Sequence, residues 1–469
     1  MPKKVKLVGL LIVFLIIVIT ALILTREKKQ DSSLAEVSIN INPAISIGPA
    51  DNHLQGFIFG IQPDPQEDQT KAISFLTDLK PNYWRLSTWG SYAQFVVNQA
   101  QFPQKVGTKI ILLVQDAFHA QYGAPVTVNT ATNGVCPSWS AHCFNTFADL
   151  KTAWAGSISK LMANVKGQSA AVAYYDILNE PDLDLLPMPP QFKLDNAEEI
   201  LDLYQTAYTI IKQSDPGAKI SGPSLSAFRD GANISAFLTY TKQNNLKLDA
   251  LSWHEFGWPE NIPAHMEKAR DLMSQILACG RDCPQIHINE YQPDTGHLIP
   301  ALALGYLYYL NAGKADEASR ACFTVGGFDN CRFGVDGLLS KDGTQTQNIY
   351  WVYKAYADLS GQFIQSTSTN PRVVALTAYD QTKGELRAII GNYSSAATNL
   401  SLDIQNYPFV SQPVTITLQK IPNTNNQVSY LSAPVAVSTF VKTISLANFN
   451  LKMNNVKSGE AYVLLVKKK

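Results

Sequence analysis

The sequence predicts an α/β protein: a closed (β/α)8 TIM barrel followed by a small antiparallel β-sandwich, with a transmembrane or signal helix at the amino end. Three observations predict it. Between about residues 53 and 364, eight short apolar runs alternate with longer amphipathic ones, the pattern of parallel strands and crossover helices. No glycine-rich phosphate loop follows the first run, which speaks against a doubly wound open sheet. Beyond about residue 364 the helical periodicity stops, and alternating strands separated by Asn, Gly and Pro turns take over.

The first thirty residues stand apart. Lys3, Lys4 and Lys6 precede an uncharged run from Leu7 to Thr25, which Arg26, Lys28 and Lys29 follow. The run is near the lower length limit for a membrane-spanning helix and longer than a usual signal-peptide core. Because no good small-x-small cleavage site follows, it reads as an uncleaved anchor with a cytoplasmic amino end in preference to a cleaved signal. Either reading exports the remaining chain, as a membrane-anchored or a secreted protein. Residues 31–52 then hold a polar tether and an alternating segment, Val37 to Ile47, able to join the carboxyl-terminal strands.

The barrel elements follow in order. Gly56 to Ile61, Tyr83 to Leu86 and Lys109 to Val114 are the first three predicted strands, the third being continuously apolar as a strand buried on both faces should be. A helix is predicted over Gln66 to Leu79, and another over Phe144 to Val165 with apolar residues at helical spacing. The fourth strand begins at Tyr174. The helix Ala197 to Gln213 ends at Asp215-Pro216-Gly217. Lys219 to Gly222, Ala250 to Trp253, Gln285 to Asn289 and Ser319 to Val325 are the last four strands, with helices at Pro263 to Ala278 and Ala301 to Leu310. Within residues 365–469, strands are predicted at Arg372 to Tyr379, Glu385 to Tyr393, Thr398 to Ile404, Val414 to Leu418, Thr443 to Leu446 and Ala461 to Lys467.

Six cysteines fall into three close pairs: Cys136 with Cys143, Cys279 with Cys283, and Cys322 with Cys331. In an exported chain such spacing reads as small disulfide loops, although sequence alone leaves the connectivity open. The rival reading is a metal site, for which Cys279 and Cys283 have admissible spacing, but no matching His or Cys pair sits nearby. No metal and no cofactor are expected. Lys plus Arg equals Asp plus Glu, 38 each, so no net charge recommends nucleic acid as a partner.

The chemistry concentrates at two strand ends. Tyr174 to Asp182 reads YYDILNEPD and Gln285 to Tyr291 reads QIHINEY, so the fourth and seventh strands each deliver a glutamate, Glu180 and Glu290, at their carboxyl ends. In a closed parallel barrel all these ends open on one face. Two carboxyl groups held close across one site suit retaining cleavage of a glycosidic bond, where one attacks the anomeric carbon and the other protonates the departing oxygen.

In these residues the chain resembles the clan A retaining glycoside hydrolases, most closely family 39, the β-xylosidase and α-L-iduronidase type. The resemblance covers about residues 37 to 469. It rests on Asn179-Glu180-Pro181, Asn289-Glu290-Tyr291, His254 after the sixth strand, Arg85 in the second, and DPGAKISGPSL at Asp215 to Leu225. It implies Glu180 as acid/base, Glu290 as nucleophile, Asn179 as a ligand of the neighbouring sugar hydroxyl, and Arg85 beneath the nucleophile, holding it ionised. Phe256 stands where relatives usually carry Tyr, and Tyr291 is a candidate substitute for the missing hydroxyl.

Sugar sites also use flat aromatic faces. Trp253 and Trp258 flank His254, and Trp89 follows the second strand; Trp258, in a Gly-Trp-Pro loop, is the preferred platform. Asp116 and His119 are candidate specificity contacts, and Glu255 reads as a solvated loop acid. The alternative to a xyloside-type hydrolase is a catalytically impaired carbohydrate-binding protein on a hydrolase barrel.

Overall fold

The computed structural model describes residues 34–58, 70–86, 103–123, 126–129, 138, 140–167, 172–182, 192–193, 197–228, 231–325, 327–329 and 335–469. The predicted anchor, Trp89, Cys136 and Cys331 lie outside them. Among the described residues no helix is long and apolar enough to cross a membrane.

Eight strands close into a barrel in which every neighbouring pair is parallel: Gly56–Ile58, Tyr83–Leu86, Lys109–Leu113, Val172–Asp176, Ile220–Leu225, Ala250–Glu255, Gln285–Tyr291 and Glu317–Arg320. The seam is made where Ser319 and Arg320 pair with Gly56 and Phe57. A Cβ on Gly56 would lie 2.6 Å from both the Ala318 carbonyl oxygen and the Ser319 hydroxyl, so only glycine lets the first and last strands approach. The fourth and eighth strands begin and end earlier than the sequence predicts. Ile177 and Leu178 lie beyond the fourth, and Ala321 to Phe323 beyond the eighth.

Amphipathic helices wrap the barrel. On Ile262–Leu277 the buried residues Ile262, Met266, Ala269 and Met273 recur at helical spacing and form the core-facing stripe. On Ala197–Ser214 the stripe is Leu203, Tyr204, Ala207 and Ile211, and Asp215 closes the following turn by accepting the Gly217 amide. Phe144 belongs to a short strand, His142–Phe144, and the predicted helix after it spans Phe147–Gly167.

The carboxyl-terminal region is one continuous nine-stranded sheet, not two separate sheets, and it curls around its own apolar core. Glu36–Pro49 is built into it, antiparallel to Gln362–Ser368 and parallel to Thr398–Ile404. Thr443 to Leu446 is mostly a connection, between Val435–Thr443 and Phe449–Val456. The helix Pro300–Ala312 lies between barrel and sheet and is buried on nearly every side, which explains an apolar sequence without a polar face (PALALGYLYYL). Gly391 and Gly305 allow the approach: a Cβ on Gly391 would meet Ala301, and one on Gly305 would meet the Tyr393 ring.

Cys279 and Cys283 form a disulfide, and Cys143 and Cys322 are disulfide-bonded as well.

Candidate active site

The residues at the carboxyl ends of the strands converge through two backbone irregularities. In the pairing of the sixth and seventh strands, Trp253 faces Ile288 and His254 faces Glu290, so Asn289 is the extra residue of a bulge. In the pairing of the fifth and sixth, Ser224 is skipped in the same way. Bulges re-aim side chains, and here they allow Asn289 and Ser224 to bond inside the barrel next to Glu290. Glu180 has φ 48°, a left-handed conformation uncommon for a residue with a side chain. Its amide donates to the Ser224 carbonyl at 2.8 Å, which holds it there. Strain of this kind collects at functional sites.

Arg85 joins the two halves. It is wholly buried, and donates from Nη1 to Glu290 Oε1 at 2.8 Å, from Nη2 to Asn179 Oδ1 at 2.8 Å, and from Nε to Asp176 Oδ2 at 2.9 Å. Asp176 in turn accepts from Ser224 Oγ at 2.7 Å and Asn289 Nδ2 at 2.9 Å. A buried carboxylate and guanidinium are tolerated when each lone pair and proton finds a partner, and this network supplies them. The backbone of Asn179 is gripped from both sides by Gln115, whose Oε1 accepts the amide at 2.8 Å and whose Nε2 donates to the carbonyl at 3.1 Å.

His254 is buried beside Glu290 in the strand register, and its Nδ1 lies 2.9 Å from Glu180 Oε1. The three titrating groups act on one another. Burial works to raise Glu180, but the hydrogen bond and charge of His254, with help from Arg85, outweigh it and leave the carboxyl below its ordinary value. Burial raises Glu290 and prevails over the opposing charges of His254 and Arg85. Burial works to lower His254, and the carboxylates of Glu290 and Glu180 overcome it, so the imidazole is raised. The raised imidazole lies one hydrogen bond away from Glu180. The order of the two carboxyls is the reverse of the one an acid at 180 and a nucleophile at 290 require at the moment of attack.

Other candidates stand elsewhere. Trp253 and Tyr291 do not face this cluster. Alternation along a strand sends them outward, away from the inward His254 and Glu290. The fully buried Trp253 packs on Phe228 and donates its indole N–H to Glu255 at 2.7 Å, so it offers no platform. The Tyr291 hydroxyl is 3.0 Å from that of Tyr353, and cannot replace the missing hydroxyl at Phe256. Glu255 is not solvated: it is buried and also bonded to His265 at 2.9 Å. Asp116 and His119 lie buried on the helix Gln115–Tyr122; the charge of Asp116 acts on Arg85, and burial pushes His119 down to about 4. Trp258 is 53% exposed and stands apart from this cluster, lining a cavity between the barrel and the sheet. Sequence alone does not single out Asp176, Ser224 and Gln115. An aspartate inside the otherwise apolar run of the fourth strand is the available signal. Among the described residues no group of three or more His, Cys, Asp or Glu forms a metal cluster.

No family model and no curated protein sequence matches the chain. Solved structures do match in fold. N2152 from Neocallimastix frontalis superposes with a TM-score of 0.71 at 18% identity, over 93% of this chain and 100% of that one. The GH39 enzyme from Xanthomonas axonopodis pv. citri gives 0.64 at 13%, over 93% and 98%. A monomeric β-xylosidase from Caulobacter crescentus CB15 gives 0.64 at 12%, over 92% and 99%. The chain has the fold of the glycoside hydrolase family 39 structures.

Proposed function

We propose that this chain is a retaining glycoside hydrolase acting on O-glycosidic bonds of oligo- or polysaccharides, xylosides or related glycosides among them. The observation that carries the reading is the linked pair at the barrel mouth: Glu290 held by Arg85, and Glu180 held by His254. In the first step a Glu290 oxygen attacks the anomeric carbon and forms an ester bond. The bond to the leaving oxygen breaks, and Glu180 donates a proton to that oxygen. In the second step water attacks the same carbon, Glu180 takes its proton, and Glu290 departs as carboxylate.

In this reading a proton carried by His254 is the source for the sequence. A sugar over the site excludes water and penalises the ionised Glu180, and the proton needs only to cross the 2.9 Å hydrogen bond to Oε1. Esterification of Glu290 then removes a negative charge, so Glu180 favours its ionised form just when a base is needed. Asn179, fixed by Gln115 and Arg85, is the ligand for the hydroxyl beside the anomeric carbon. No cofactor enters this chemistry.

Export through the amino-terminal anchor or signal belongs to the same reading, and the Cys279–Cys283 disulfide supports an oxidising compartment. The test is Glu290→Ala assayed on a panel of activated aryl glycosides. Activity should fall by orders of magnitude, and azide should restore turnover with formation of the glycosyl azide of inverted configuration. Retention of wild-type activity in that variant rejects the assignment, and sugar binding without turnover by the parent protein identifies a binding module instead.

A further inference from the structure

The loops after the sixth and seventh strands enclose, with the sheet domain, a cavity of about 350 Å³, within the span of about 300–1,000 Å³ typical of small-molecule sites. The barrel contributes Phe256, Trp258 and Thr295, and the sheet contributes Tyr393, Asn423 and Ser458. Three features give the cavity a chemistry. First, Trp258 is braced. The Arg372 guanidinium lies 4.0 Å from the ring centroid and is itself tied to Glu260 at 2.9 Å. One indole face is thereby covered and fixed, and the exposed remainder of the ring borders the cavity. A platform ordered in advance costs a ligand little to use.

Second, the polar rim offers acceptors. Asn423 is locked by its Nδ2 bonds to Asn425 at 2.9 Å and the Ser458 carbonyl at 3.1 Å. Ser458 donates its hydroxyl proton to the Ser394 carbonyl at 2.6 Å. Asn423 Oδ1 already accepts the Asn425 amide at 2.9 Å, so it keeps one lone pair, and the Ser458 oxygen keeps its own, for hydroxyl donors. Gly459 makes this rim possible, because at φ 82° a Cβ there would fall 2.4 Å from the Asn423 side chain. Third, among the described residues no charged side chain lines the cavity. A ligand with one apolar face, hydroxyl donors and no charge fits this combination, and a pyranose ring has all three.

Location links the cavity to the catalytic cluster. Trp258 follows His254 by four residues in the sequence, a span of at most about 14 Å of backbone. We propose that the cavity is a remote binding site for a neutral oligosaccharide, with Trp258 as its platform and the sheet domain as one wall. The proposal rests on the hydrolase reading only for the nature of the chain, and it assigns that enzyme extended neutral glycans as substrates.

The experiment uses the full chain carrying Glu290→Gln, titrated calorimetrically with xylobiose, xylohexaose, cellobiose and cellohexaose. At least one hexaose should bind about tenfold more tightly than its biose, the scale of one good aromatic stacking contact. Adding Trp258→Ala should remove the difference, and Trp258→Phe should retain most of it, with thermal melts establishing that each variant is folded. Absent binding, affinity independent of chain length for both polymers, or a difference that survives Trp258→Ala overturns the proposal. Failure of the two readings is distinguishable. If the parent protein hydrolyses no glycoside but shows Trp258-dependent binding, only the hydrolase reading falls; if it hydrolyses and lacks that dependence, only the remote site falls.

Discussion

Arg85 in the second barrel strand donates to Glu290 at the end of the seventh, Nη1 to Oε1 at 2.8 Å, across the interior of the barrel. The same guanidinium holds Asp176 and Asn179. One side chain therefore supports Glu290, the amide side chain next to Glu180, and the buried carboxylate of Asp176.

Replacing Arg85 by Met should be severe in two separable ways. It leaves Asp176 and Glu290 without their countercharge, and loss of one partner of a buried pair costs about 3–5 kcal/mol. Urea midpoints report that loss. Any folded fraction should also lack activity on aryl glycosides. Arg85→Lys should recover part of the stability and little of the activity, because an ammonium cannot span three acceptors in a plane.

His254→Asn tests the proposed role of the imidazole. His254 lowers Glu290 by its charge, so its loss should raise the pH at which Glu290 ionises. In the proposed mechanism one of the two carboxyls must be ionised, and His254 holds both down, so the acidic limb of the kcat/KM profile should move to higher pH. Three coupled groups titrate as a unit, so the limb should also become simpler in shape. An unmoved acidic limb contradicts the arrangement.

Glu317, in the eighth strand, is buried and its carboxyl is pushed up to about 8, chiefly by burial, against a hydrogen bond from Ser319. The sign follows from linkage. The unfolded chain releases this proton near the ordinary value of 4.5, and the folded chain keeps it until about 8. Between those limits the folded state holds the extra proton, so stability falls as pH rises and levels off above about 8. Glu317→Gln should remove a slope equivalent to one proton from chemical-denaturation stability measured across that window, and should make the protein more stable than wild type on the alkaline side.

Gly56→Ala should strain the seam of the barrel. The added methyl would meet the backbone oxygen of Ala318 at 2.6 Å, an atom that cannot rotate away. Overpacking of this kind costs about 1–3 kcal/mol, readable as a lowered melting temperature. Gly257→Ala, where no atom lies within 4 Å of the new methyl, is the matched control.

Much of the frame is legible because period and punctuation are local. The eight strands, their order and the two glutamates at strand ends can all be read from apolar runs and the motifs that break them. The errors at Trp253 and Tyr291 also concern a local rule. Each is one residue from an inward-facing neighbour, and alternation places it outward, so parity along the strand removes both. Asp176, Ser224 and Gln115 are harder. Their importance lies in bonds between segments far apart in the sequence, in or just after the second, third, fourth and fifth strands, and Ser224 sits at a bulge that interrupts the very alternation that sequence reading uses. The continuous nine-stranded sheet is invisible for a similar reason. Alternating strands reveal that they have two faces, and say little about which neighbour each will pair with.

The placement of Glu36–Pro49 as an interior strand has a practical consequence. Its two neighbours, Gln362–Ser368 and Thr398–Ile404, come from the far end of the chain, and the hydrogen bond between Thr398 and Ala35 spans 363 positions. The ribosome thus finishes one edge of this seam hundreds of residues before the other exists, and the sheet can knit together only once synthesis is nearly done. An expression boundary placed at the first barrel strand would delete a middle stave, leaving two raw edges free to stick to other molecules.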